Sequence, residues 1–189
     1  MKILRSLCKS AVVVPVAVAG STSAEAQTSF ISFLNGAQET PAPVVTPAFG
    51  NGTVLLNAAQ NQITINLAFQ GLLAPVTVAH IHNGAFGASG PVILDIRSLI
   101  DFSSRDFTSG AIFSRVLNVT PSQASVLLAG NGYFNIHTSL HPGGEIRGQI
   151  NVVPEPSTYL LMATGLGGLM LVARRRRSHA PSPACVRAD

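Results

Sequence analysis

The sequence predicts an all-β domain, an antiparallel Greek-key β-sandwich or barrel with one short helix, followed by a C-terminal transmembrane helix. Three observations carry this. Short apolar runs of strand length recur along residues 29–150, with turn residues between them. The clearest, 63–70 (ITINLAFQ), sets Ile63, Ile65, Leu67 and Phe69 against Thr64, Asn66, Ala68 and Gln70, the period of two that marks a half-buried strand. Beyond them, residues 159–173 carry no charge and run into Arg174, Arg175, Arg176 and Arg177.

Taken in order, the chain opens with Lys2, Arg5 and Lys9 ahead of an apolar stretch, 11–20. Ala24 and Ala26 then supply small residues before a cut at Gln27, so residues 1–26 read as a secretory signal peptide. The apolar stretch is too short to span a membrane, and Pro15 interrupts it. Strands are expected over 29–34, 53–56, 63–70, 76–82, 92–96, 111–117, 133–137 and 145–150. Asn51-Gly52, Asn61-Gln62, Asn83-Gly84, Asn131-Gly132 and Pro142-Gly143-Gly144 are the turn signals. Residues 39–47 (ETPAPVVTP) carry three prolines and must be an extended loop or an edge. One helix interrupts the series: Thr120 suits the N-cap, Pro121 the first helical position, and Gly130 the close after SQASVLLA. About eight short strands separated by turns favour a sandwich over a parallel α/β fold.

The C-terminal segment has three parts: a rigid polar entry (Pro154, Glu155, Pro156), the uncharged run 159–173, and the arginines. Inside lipid such a run satisfies its backbone only as a helix, and the arginines stay on the cytoplasmic side. Fifteen residues reach about 22 Å, short of the roughly 30 Å hydrocarbon core. The span is thin, which suggests a weak or temporary anchor, with Arg174 able to snorkel. Residues 178–189 follow as a disordered tail.

Charge changes meaning once the ends are set aside. The whole chain has 12 Lys+Arg against 8 Asp+Glu, net +4. Between 27 and 151 the charged residues are Arg97, Arg105, Arg115 and Arg147 against Glu39, Asp95, Asp101, Asp106 and Glu145, so the domain is about neutral. Nucleic-acid binding loses its electrostatic basis. Both cysteines, Cys8 and Cys185, lie outside the domain, which therefore cannot rely on a disulfide although it is exported to an oxidising compartment. About 125 residues holding all nine phenylalanines suffice for one core.

Two stretches hold whatever chemistry the domain has: 79–92 (AHIHNGAFGASGPV) and 135–150 (NIHTSLHPGGEIRGQI). Strand parity points His80 and His82 one way and Ile81 into the core. The same parity buries Phe134 and Ile136 and turns His137 outward, with His141 in the turn beside it. These four histidines could hold copper or zinc at about 2.0–2.1 Å. They could equally bond loop carbonyls and order the Gly-rich turns. Glu145 and Arg147 read as a same-face pair on an exposed strand, and Gly143 and Gly144 as positions needing positive φ or close approach. No hydrolase elbow, phosphate loop or paired-cysteine site is present.

The order VPEPST, Gly-interrupted apolar helix, RRRR over residues 152–177 resembles the PEP-CTERM sorting signal of exported bacterial proteins. That resemblance implies recognition of Pro154, Glu155 and Pro156 by a membrane-embedded exosortase. It implies export across the inner membrane, a membrane-anchored precursor, and release to the cell surface or beyond. The AHIH and HPGGEIRGQI segments, with FLNGAQETPAP, resemble the CHRD domain, named from chordin. Its members imply an immunoglobulin-like or superoxide-dismutase-like β-sandwich and leave the biochemical role open. A fainter similarity to copper/zinc superoxide dismutase matches its copper histidines to His80, His82 and His137, and its arginine to Arg147. Two functions follow. One is a non-enzymatic exported module for binding or adhesion, with extracellular polysaccharide as a possible partner and no cofactor. The other is a periplasmic or surface copper or zinc protein.

Overall fold

The computed structural model describes residues 27–154 and 156–178. The expected signal peptide with Ala24 and Ala26, the sorting residue Glu155, and the chain after 178 lie outside the described residues.

Ten strands pair antiparallel. They are β1 (Thr28–Asn35), β2 (Phe49–Leu56), β3 (Gln62–Gln70), β4 (Val76–Asn83), β5 (Val92–Asp95), β6 (Asp101–Phe102), β7 (Gly110–Asn118), β8 (Gly132–Thr138), β9 (Ile146–Gln149) and β10 (Asn151–Val152). Their order is β5-β4-β8-β9-β1-β2-β3-β7-β6, with β10 also on β1. The sheet is one continuous path that curls over itself. Alternation explains the curl. Ile63, Ile65 and Leu67 of β3 and Ile112 of β7 enter the same core as Ile81 of β4, Phe134 and Ile136 of β8 and Ile146 of β9. Each such side chain contributes about 1.5–3 kcal/mol by leaving water. Among the described residues the core side chains all fall between Phe30 and Ile150, so the domain closes on itself without the described part of the C-terminal helix.

The expected strands are all present; most ends shift by a single residue, and β2 differs by more. β2 starts at Phe49, so Asn51-Gly52 lies inside a strand and is not a turn. Gly52 faces inward there, and a Cβ on it would stand 3.0 Å from the Phe134 ring and 3.2 Å from Leu67 Cδ1. It is a point of close approach between the two halves of the curl, a role glycine fills in strands. The run 145–150 divides, with Glu145 ahead of β9 and Ile150 ahead of β10. The two-residue strands β6 and β10 were not expected, being too short to show a period.

The helix α1 (Pro121–Leu128) forms as expected and carries a capping box. Thr120 Oγ1 accepts from the Gln123 amide at 3.3 Å, while Gln123 Oε1 accepts from the Thr120 amide at 2.8 Å. Ala124 and Leu127 seat it on the core.

A second helix, α2 (Pro156–Ser178), carries the expected apolar run and continues through the arginines to Ser178, which was expected in the tail. Leu160, Leu161, Leu166, Leu169 and Leu171 are exposed on it, and Thr164 returns its hydroxyl to the Leu160 carbonyl at 2.8 Å. Among the described residues no helix is long and apolar enough to cross a membrane. The expected transmembrane helix is thus not found as such. Thr164, Gly165, Gly167 and Gly168 dilute its fifteen uncharged residues, and the arginines belong to the same helix.

Candidate metal centre

The inward residues of β4 and β8 fix where their histidines go. Ala79 and Ile81 are fully buried in the core, as are Phe134 and Ile136, so His80, His82, Tyr133, Asn135 and His137 share the opposite face. Register sets them side by side, with His80 facing Asn135, His82 facing Tyr133 and Val78 facing His137. β9 extends the row, since Asn135 also faces Arg147 and Tyr133 faces Gln149.

Much of this face is shielded from water: β8 is buried along its whole length, while His80 on β4 is half-buried. Two loops roof it. Arg147 donates to Thr40 Oγ1 at 2.9 Å in one loop and to the Ala85 carbonyl at 3.1 Å in the other. Gln149 Nε2 donates to the Gly84 carbonyl at 3.0 Å, the Gly90 amide donates to Tyr133 Oη at 3.1 Å, and the Thr40 and Ser89 hydroxyls join the loops at 2.7 Å. The expected parity of His137 therefore holds, but its outward face is covered, and 7% of the residue remains exposed. Glu145 and Arg147 are not an exposed pair either, at 0% and 1%. The loops bury Arg147. Glu145 lies ahead of β9, where its carboxylate accepts from Thr46 Oγ1, the Leu73 amide and Thr138 Oγ1 at 2.7–2.8 Å.

His80, His82 and His137 converge, and one ring nitrogen of each lies within 4.8 Å of the other two. Their ring centroids are 5.2–5.7 Å apart. His82 Nδ1 meets the Gly90 carbonyl and His137 Nδ1 the Pro142 carbonyl, each at 2.9 Å. A carbonyl only accepts, so Nδ1 carries the proton in both rings and Nε2 is left with a free lone pair. Both Nε2 atoms, and Nδ1 of His80, are buried without a hydrogen-bond partner. The two readings of these histidines thus meet in the same rings: one nitrogen orders a Gly-rich loop and the other is free to ligate. Burial pushes the pKa of His82 and of His137 below the ordinary histidine value against the pull of those carbonyls, and neighbouring rings add to the lowering. Neutral imidazoles with an oriented second nitrogen are the donors a metal ion requires, so these residues fit copper or zinc.

His141 does not join the trio. Its amide donates to Thr138 Oγ1 at 3.2 Å, and its Nε2 is buried without a partner in the turn. Of the two turn glycines only Gly144 answers the expectation, at φ +127°, with a Cβ there falling 2.7 Å from Glu39 Oε1; Gly143 has open space. Four neighbours escaped the sequence reading as site residues: Tyr133, Asn135, Gln149 and Glu39. Tyr133 stacks on His82 at 5.0 Å and 10°, and the Arg147 guanidinium lies over the same Tyr133 ring, 3.6 Å from its centroid. Asn135 Nδ2 donates to Glu39 Oε2 at 3.4 Å. Burial pushes the Glu39 carboxyl up to about 7, and Arg147 and Asn135 oppose the rise. Parity with His137 would have found Tyr133 and Asn135, and parity with Arg147 would have found Gln149. Nothing local marks Glu39.

A family model described as CHRD domain matches residues 30–150, and one described as PEP-CTERM protein-sorting motif matches residues 152–177. No curated protein and no solved structure matches the chain.

Proposed function

We propose, for a chain that belongs to the CHRD domain family and carries a PEP-CTERM protein-sorting motif behind that domain, that it is a surface-sorted protein binding copper or zinc through His80, His82 and His137. The motif implies processing by an exosortase and sorting to the surface. In this reading α2 is a short, temporary anchor that holds the precursor until Pro154, Glu155 and Pro156 are recognised. Arg174, Arg175, Arg176 and Arg177 form the basic end of the motif.

The observation that carries the metal reading is the convergence of His80, His82 and His137, one ring nitrogen of each within 4.8 Å of the others, in rings that each keep a buried nitrogen without a partner. It supports the superoxide-dismutase-like form of the sandwich, with a His-x-His strand, a later histidine and a buried arginine. A bound ion would supply a Lewis acid or, as copper, a one-electron centre. The chain's own part is to present neutral nitrogens: the Gly90 and Pro142 carbonyls fix two rings, and Tyr133 braces the third side of His82. Purified residues 27–153, which contain the complete core, are expected to retain one equivalent of copper or zinc after loading and desalting. His82→Ala and His137→Ala are expected to lose it while keeping the β-sheet circular dichroism spectrum. Retention below about one tenth of an equivalent removes the reading.

A second reading, adhesion to an uncharged extracellular polysaccharide, is favoured by the outer face of β1, β2, β3 and β7. Phe33, Phe49 and Phe113 are exposed there, at 63%, 55% and 67%, around Asn51, Thr53 and Asn66. Rings with amides and hydroxyls between them suit neutral sugars. Loss of polysaccharide pull-down in a Phe49→Ala, Phe113→Ala double variant is the expected outcome, and equal pull-down counts against adhesion through this face.

A further inference from the structure

We infer that the three-histidine site selects copper(I) over zinc(II) and copper(II); this rests on the metal reading above. Among the described residues the donor set is three imidazoles, each a neutral ligand once it holds a metal, with no carboxylate or thiolate in the 4.8 Å cluster. Zinc(II) completes a tetrahedron and copper(II) a tetragonal set, so beside three imidazoles each must take up water or another group as a further donor. Three imidazoles satisfy a monovalent, filled-shell ion without one.

Charge points the same way. Arg147 is 1% exposed, and its hydrogen bonds go to neutral groups: Thr40 Oγ1, the Ala85 carbonyl and Gln149 Oε1. Its guanidinium reaches the site through a stack, Arg147 on Tyr133 on His82. The acids nearby do not cancel it. Asp95 faces His80 across β4 and β5, but it is exposed and accepts from the Arg97 amide at 2.9 Å. Glu39 is buried beside Asn135 with its carboxyl pushed up to about 7, so at neutral pH it is only partly ionised. Glu145 is spent on Thr46, Leu73 and Thr138. A fixed cation close to an uncharged donor set, in a buried place where screening is weak, penalises each added positive charge on the ion. A divalent ion bears that penalty twice.

The test uses metal-free residues 27–153 under anaerobic conditions. Copper(I) is supplied with bicinchoninate as a competing ligand, zinc(II) is titrated against a fluorescent chelator, and the potential of the bound copper couple is measured. Copper(I) is expected to bind at least about tenfold more tightly than zinc(II). The bound couple is expected to lie above the potential of aqueous copper. Arg147→Gln is expected to lower that potential by about 59 mV, a tenfold shift in a one-electron couple, and Arg147→Lys to leave most of it in place. Zinc(II) binding of equal strength, or a bound potential at or below the aqueous one, overturns the copper(I) selection while leaving the metal site standing. Failure of all three ions to bind removes the metal reading itself. Should Arg147→Gln not fold, the wild-type potential and the zinc comparison still decide.

Discussion

At the scale of single residues, Glu39 makes the sharpest demand on pH. Its carboxyl titrates near 7 in the folded domain, against an ordinary value of 4.5. Between those values the folded form holds the extra proton, so this contribution to stability is full below about 4.5 and is lost as pH rises through about 7. His82 and His137 run the other way. Their lowered pKa values make the unfolded chain bind more protons below the ordinary value of 6.5, so their effect weakens the fold as pH falls. Glu39→Gln keeps the acceptor for Asn135 and removes only the first effect. In the metal-free domain the variant is expected to gain about 1–3 kcal/mol on wild type between pH 4.5 and pH 8, read from urea melts. A constant difference across that range would show that the Glu39 carboxyl titrates alike in the folded and unfolded chain.

Elements show which parts of the molecule the sequence could disclose. The alternation in 63–70 and the Thr120–Pro121–Gly130 pattern became β3 and α1 because each signal lies within a few residues of its own effect. The His80–His82 pair was legible for the same reason, since a period of two puts both rings on one face. The roof was not legible. Arg147 meets Thr40 across 107 residues and Ala85 across 62, and no local pattern records such a meeting. That is why Arg147 read as an exposed strand residue and is buried. Gly52 teaches the same lesson from the other side: Asn-Gly is a strong turn signal, but the approach of Phe134 from β8 decides what the residue does. Gly52→Ala is expected to cost about 1–3 kcal/mol, through displacement of the Phe134 ring or of β2. A thermal melt that does not move would show that the two halves of the curl have slack there.

For the whole molecule, the domain and the sorting motif adjoin without a shared core, since residues 30–150 supply every described core side chain. Delivery and binding should therefore separate by mutation. Replacing Pro154, Glu155 and Pro156 together by alanine is expected to leave full-length protein in the membrane fraction. Its histidines should bind metal as before, while wild type appears shortened outside that fraction. Identical fractionation of the two would count against recognition at this entry. β1 is the first strand synthesised, yet it lies mid-sheet and accepts β9 and β10, with the Val153 amide donating to the Ser29 carbonyl at 2.8 Å. A chain that emerges from its N-terminus onward thus keeps its centre unfinished until its final strands arrive. Nascent polypeptides stopped short of residue 146 should remain protease-sensitive throughout, and the candidate metal centre can mature only once the segment that marks the protein for sorting is about to follow.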